Sequence, residues 1–208
     1  MEALQGRIEK AHTATEIIFK GIRHDQWALP TPCTDWDVRT LANHMVGGYR
    51  LFHAAITGTG DGMDFEADWL GTDPVTEYTN AATDVLTAWR APDVLERTLT
   101  ISVGPVPGQI AALIHLTEVI VHGIDLAVAT SQEQLIDDGS AEDLLTTMHQ
   151  MGIMGQFRVQ GIFQPELPAP SDAPAHRRLM AFLGRDANWQ PAARAWAYRP
   201  AVQILKRR

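Results

Sequence analysis

At 208 residues the chain is long enough to bury a substantial core without disulfide staples. Its net charge of −8 argues against the basic surface that phosphate-backbone binding needs, so no nucleic acid partner is expected. No apolar run approaches the roughly 20 residues of a membrane-spanning helix, so no membrane partner is expected either. The N-terminal stretch MEALQGRIEKAH lacks the order of a secretory signal, and the lone Cys33 cannot form an intrachain disulfide, which makes a reducing cytoplasm the expected compartment. The basic end Lys206-Arg207-Arg208 reads as a solvated terminus rather than a tether.

In chain order, Leu4, Ile8, Ala11, Thr15, Ile18 and Ile22 alternate at spacings of four and three, the apolar stripe of a first helix over about 2–23. After the linker WALPTPC, Thr34 followed by Asp37 resembles a capping box opening a second helix that ends near Gly58. Gly47 and Gly48 lie inside it, each costing about 1 kcal/mol against alanine, which suggests close approach of a packed helix or of a ligand beside His44. Residues 58–72 read as a loop, and Asp73-Pro74 opens a third helix that stops near Pro92. LERTLTISVGPVPG alternates apolar and polar residues before a turn, as a short strand or an extended connector would. A fourth helix spans about Gly108 to Thr130; Ser140 with Asp143 caps a fifth that reaches about Gln160. The proline-rich FQPELPAPSDAP then leads into a short helix, AHRRLMAFLGR, closed by Gly184. The expected fold is all-α: an antiparallel four-helix bundle over 1–165 with a short extended connector, and a proline-containing helical extension over 166–208 packed on it.

The fourth helix carries His115, Glu118, His122 and Asp125 on one face, within an otherwise apolar sequence. A carboxylate in such a place needs hydrogen bonds, an opposite charge or a metal ion. A helix supplies two ligands a turn apart, so a third must come from elsewhere, and His44 in LANHMVGG is the best candidate. Cys33 and His53 lie roughly 16 and 13 Å from it along a helix axis, too far to share its ion. His115 and His122, roughly 10 Å apart, can hardly bind one ion together, which leaves His115/Glu118 and Glu118/His122 both open. Two histidines and a glutamate leave a coordination position free, as catalytic sites do. A polar seam of satisfied residues between helices is the competing reading.

The segments TPCTDWDVRTLANHMVGG, HLTEVIVHGIDLAVAT and AHRRLMAFLGRDANW, in this order, resemble the DinB-like superfamily, specifically its mycothiol-dependent maleylpyruvate isomerase branch, over roughly residues 1–190. The resemblance implies a four-helix bundle with metal ligands His44, Glu118 and His122, which selects the second of the two local pairs. It also implies a divalent ion, zinc most readily and nickel as an alternative, that holds a low-molecular-weight thiol such as mycothiol as a nucleophilic thiolate. Attack on an electrophile followed by bond rotation and expulsion gives cis–trans isomerisation; retention of the new bond gives S-transfer. Isomerases of this branch carry a sizeable second domain after the bundle, whereas a short tail follows here, so a thiol transferase of the detoxifying conjugation type is expected ahead of a maleylpyruvate-type isomerase. A non-catalytic metal-binding stress protein is the alternative outside enzymology.

Four further residues have weaker readings. Asp125 is a candidate for orienting His122, or for a hydrogen bond to a backbone amide or to Arg39. Cys33, placed before a helix N-terminus, could have a lowered thiol pKa. His149 lies among methionines, and Trp36 reads as an aromatic anchor of the bundle rather than a substrate platform. The assembly is expected to be a monomer or a homodimer.

Overall fold

The computed structural model describes residues 3–60, 64, 67–152, 155, 158 and 163–191. Four long helices form the core: α1 (Leu4–Lys20), α2 (Val38–Thr57), α3 (Pro74–Trp89) and α4 (Gly108–Ala129). They pack as an antiparallel bundle in which α4 meets α1 and α2, and α3 closes the other side against α2 and α1. The stripe read for the first helix is the buried one, with Ile8, Ala11, Thr15 and Ile18 facing inward. The helix stops short of Ile22, at Lys20.

The start of α2 differs from the capping box read at Thr34. Asp35 has a φ of 73°, a left-handed conformation that no helix contains, so the turn cannot begin there. Asp37 is the cap instead, its carboxylate accepting a 2.8 Å hydrogen bond from the Thr40 amide. The segment before it folds back on itself: the Val38 and Arg39 amides donate to the carbonyls of Leu29 and Trp27. At the far end Gly58, with φ 75°, closes the helix as expected.

Of the two glycines inside α2, Gly47 is explained by a loop rather than by a packed helix. A Cβ on Gly47 would lie 2.8 Å from the indole of Trp69, so this glycine makes room for an aromatic ring from the following loop. That loop is pinned to α2 by Asn43, which accepts from the Trp69 and Leu70 amides and donates to the Ala67 carbonyl. Around Gly48 there is open space.

Asp73 caps α3 through the Thr76 amide, as the Asp-Pro signal requires. The alternating stretch after α3 forms an antiparallel hairpin, β1 (Thr98–Ile101) and β2 (Gly104–Pro107), with Leu99 and Ile101 buried against the bundle. In α4 the sequence reading needs correction: this 22-residue helix is long and apolar enough to cross a bilayer by length and composition. Most of that apolar stretch is buried inside the protein, which is where a helix apolar all round also belongs.

Two shorter helices, α5 (Asp138–Met151) and α6 (Ala175–Phe182), pack on each other and beside α4. The cap of α5 is Asp137, which accepts from the Gly139 and Ser140 amides, rather than Ser140 itself. The helix ends at Gly152, in a left-handed conformation, well before the expected end near Gln160, which lies outside the described residues, as do Lys206, Arg207 and Arg208. Buried His176 fastens α6, its two ring nitrogens each 2.7 Å from a carboxylate oxygen, of Asp138 and of Glu133. Leu144, Leu179 and Met180 join the same apolar core as the four long helices.

Candidate metal centre

Where α2 crosses α4, the His44 side chain meets Glu118 and His122, which lie one turn apart on α4. Glu118 Oε2 lies 3.0 Å from His44 Nε2 and 3.2 Å from His122 Nε2. The three ligand atoms all fall within 4.8 Å of one another. Ligands bound at about 2.0–2.1 Å in a tetrahedral arrangement are roughly 3.3 Å apart, so this spacing suits one small divalent ion.

The electrostatics are those of a site that wants a cation. Burial alone would raise the Glu118 pKa, yet His122 and His44 hold it well below the usual carboxylate range. Burial would likewise lower His122, but Glu118 and Asp125 raise it to about 9. Without an ion, the proton on His122 does at neutral pH what a divalent cation would do more fully.

Asp125 stands behind His122. The imidazole Nδ1–H donates to Asp125 Oδ2 at 3.1 Å, which leaves Nε2 aimed at the trio, the arrangement in which an outer carboxylate fixes the ring of a ligating histidine. The partner that satisfies Asp125, which has no exposed surface, is not Arg39 but Arg185: its Nε and Nη2 each donate at 2.9 Å. Arg39 is 29 residues from its own carboxylate, Asp68, and binds that instead. Arg185 arrives from the turn after α6, so the C-terminal extension supplies part of the support for the site.

His115 is not part of the centre. It is fully buried one turn before Glu118 and faces α1, where its Nε2 lies 2.8 Å from Nε2 of His12. Cys33 does lie near His122 and Asp125, with ligand atoms within 4.8 Å. It precedes Val38 by five residues and so is not on a helix N-terminus; burial first, then Asp125, push its thiol up to about 11. A protonated thiol and a carboxylate with both oxygens held by Arg185 make that second group a poorer cation site than His44, Glu118 and His122. His149 packs on the Phe182 ring, 4.5 Å between centroids, and does not line the cleft.

Above the trio opens a cleft of about 730 Å³. Trp36, expected as a bundle anchor, forms one of its walls: its ring is 4.7 Å from that of His44 and 6.1 Å from that of His122. Phe163, Leu167, Leu183 and Arg185 also line the cleft. Sequence reasoning missed Arg185, and it read Trp36 only as a bundle anchor, whereas the ring packs on the apolar core and lines the cleft as well. The signal for the first was present in Asp125: a carboxylate in so apolar a helix requires a cation, but nothing local says which arginine provides it.

The sequence profile described as mycothiol maleylpyruvate isomerase N-terminal domain matches residues 8–127. Two uncharacterized proteins of Mycobacterium tuberculosis, from strains CDC 1551 and H37Rv, are each 31% identical over 178 residues, covering 85% of this chain and 94% of theirs. Among solved structures, the mycothiol-dependent maleylpyruvate isomerase superposes with a TM-score of 0.59 at 13% identity, over 90% of this chain and 91% of that one. At that identity the likeness is one of fold.

Proposed function

The chain belongs to the mycothiol maleylpyruvate isomerase N-terminal domain family, and on that premise we propose that it is a metal-dependent enzyme in which a mycothiol-type thiol attacks a small electrophile. The observation that carries this reading is the convergence of His44, Glu118 and His122 at the base of a cleft large enough for a guest. A purely structural clamp between helices has no use for such an opening. Zinc suits two imidazoles and a carboxylate with one position free, and nickel is compatible with the same donors. Such an ion supplies the positive charge that keeps a thiol ionised at neutral pH.

The chain's own residues divide the remaining work. His44 and His122 would supply nitrogen donors to the ion, and Glu118 would supply a negative oxygen. Asp125 holds His122 in the tautomer whose Nε2 lone pair faces the cleft, and Arg185 keeps Asp125 ionised and still. Trp36 and Leu183 line the cleft with apolar surface that would limit the water around a bound thiol.

Retention of the new bond gives S-transfer as one outcome, and release of the thiol after bond rotation, hence cis–trans isomerisation, is the second. The fold likeness to the isomerase supports that second outcome: the superposition spans 91% of the solved chain, so length by itself does not weigh against it. The test is to supply mycothiol and a model electrophile to metal-loaded and metal-stripped protein. Metal-dependent consumption of electrophile supports the proposal, recovery of isomerised electrophile selects the second outcome, and metal-dependent thermal stabilisation with no turnover contradicts both.

A further inference from the structure

The two histidines of the centre are held in unequal ways. His122 has only 9% of its side chain exposed, and Asp125 takes its Nδ1. His44 leaves 41% of its side chain exposed, and its one hydrogen bond through the ring, among the described residues, is to Glu118 at Nε2. An imidazole so open can turn about its side-chain bonds. A ligand gathered from several rotamers weakens the hold on an ion by the freedom it loses on binding. Something other than a hydrogen bond at Nδ1 must therefore keep the His44 ring aimed at Glu118.

Trp36 is placed to do this. Its ring centroid lies 4.7 Å from that of His44, within the range over which aromatic pairs attract, and the two planes are tilted by 44°. The same indole reaches the His122 ring at 6.1 Å, so it touches both nitrogen donors. Its own backbone is fixed by the turn that precedes α2. The Trp36 carbonyl accepts from the Thr31 amide at 3.2 Å and from the Thr31 hydroxyl at 2.9 Å, while the Trp36 amide donates to the Cys33 carbonyl. Thr31 is buried, and the indole packs on the apolar core. The platform is thus better anchored than the ring it supports. An ion bound at Nε2 would leave the imidazole partly positive and strengthen its attraction to the electron-rich indole, so the contact favours the loaded state over the empty one.

We propose that Trp36 is a positioning residue for the metal ligand His44, doing through ring contact what Asp125 does for His122 through a hydrogen bond. Because this rests on His44 binding an ion, the parent chain is measured first, with cobalt(II) as the probe, whose visible absorption reports the geometry of its ligands. The full chain, Trp36→Phe and Trp36→Leu are loaded with cobalt, and release of the ion to excess chelator is followed alongside the visible spectrum and stability in urea. Phenylalanine keeps a ring; leucine keeps apolar bulk on the core without one.

Trp36→Phe should release cobalt within about twofold of the parent rate and keep its spectrum. Trp36→Leu should release it about three- to tenfold faster, the size expected of one aromatic contact, with an altered spectrum. Equal release rates in the two variants overturn the proposal whatever their stability, since a residue that only packs on the core changes urea unfolding and not the hold on the ion. Should Trp36→Leu fail to fold, Thr31→Val removes the hydroxyl that ties the Trp36 carbonyl and leaves the indole in place. That variant should release cobalt at least about twofold faster, and an unchanged rate overturns the proposal. A parent chain that takes up no cobalt contradicts the metal centre itself, whereas a parent that binds it with no effect of Trp36→Leu contradicts the positioning role alone.

Discussion

Two histidines of α4, His115 and His122, lie two turns apart on the same helix and have opposite fates. His122 has acids on both sides, Glu118 at its Nε2 and Asp125 at its Nδ1, and these raise its pKa to about 9 despite burial. His115 has another histidine as its partner and a surround of Phe52, Tyr49 and Trp89 rings, so burial pushes its pKa well down and keeps it neutral. Nδ1 of both His115 and His12 is buried without a hydrogen-bond partner among the described residues. Burial alone thus says nothing about the charge of a histidine; the groups within hydrogen-bond reach decide it.

The largest expected effect comes from breaking the acidic end. Asp125→Ala leaves Arg185 charged and nearly buried without its paired carboxylate, and should cost about 3–5 kcal/mol in urea unfolding. It should also weaken metal binding about 10–100-fold, because His122 loses its orienting carboxylate. A loss below 1 kcal/mol would mean that Arg185 finds water instead. At the apolar end His115→Ala opens a cavity and strands His12, for about 2–4 kcal/mol of destabilisation, yet metal content should stay stoichiometric. Loss of metal in a folded His115 variant would erase the distinction between the two ends.

The comparison also sets the response to pH. In the metal-free protein His122 carries a proton below about pH 9, and each ion that binds must displace it. Apparent metal affinity, measured by competition with a chelator, should therefore rise about tenfold per unit, or about a hundredfold from pH 7 to pH 9, and flatten above. A flat profile from pH 7 to pH 9 would show His122 neutral already. At the other end the sign reverses. His12 is lowered from 6.5 to about 3 by burial, so the unfolded chain binds its proton first and stability falls as pH drops through that window.

The smallest effect expected is in the double variant His12→Leu, His115→Leu. Replacing both members of a pair with unsatisfied nitrogens by apolar groups should leave stability at pH 7 within about 1 kcal/mol of the parent. The acid-induced loss between pH 6.5 and 3 should become shallower. A double variant as unstable as the single one would show that the pair contributes more than packing.

The sequence made the helices and the trio legible to different degrees, for physical reasons. Periodicity gave α1, α3 and α4 within a few residues, because an apolar stripe is local information. The cap of α2 was misplaced by three residues because Thr34 and Asp37 fit a general pattern, while the left-handed Asp35 that forbids it leaves no mark on composition. The cap of α5 was misplaced in the same way, since Asp137 is as good a cap as Ser140. On α4 the spacing placed Glu118 and His122 on one face but could not separate them from His115. That choice depends on which helix lies opposite, α1 for His115 and α2 for His122. Arg185 was hidden because it reaches the site from the turn after α6, through tertiary packing.

The central claim is that His44, Glu118 and His122 hold one divalent ion. Its most direct test is elemental analysis of the protein dialysed against a slight excess of zinc, alongside His44→Ala and His122→Ala variants checked for folding by circular dichroism. The expected result is one ion per parent chain and less than about a tenth of an ion in each variant. One ion retained by a folded His122→Ala chain would contradict it.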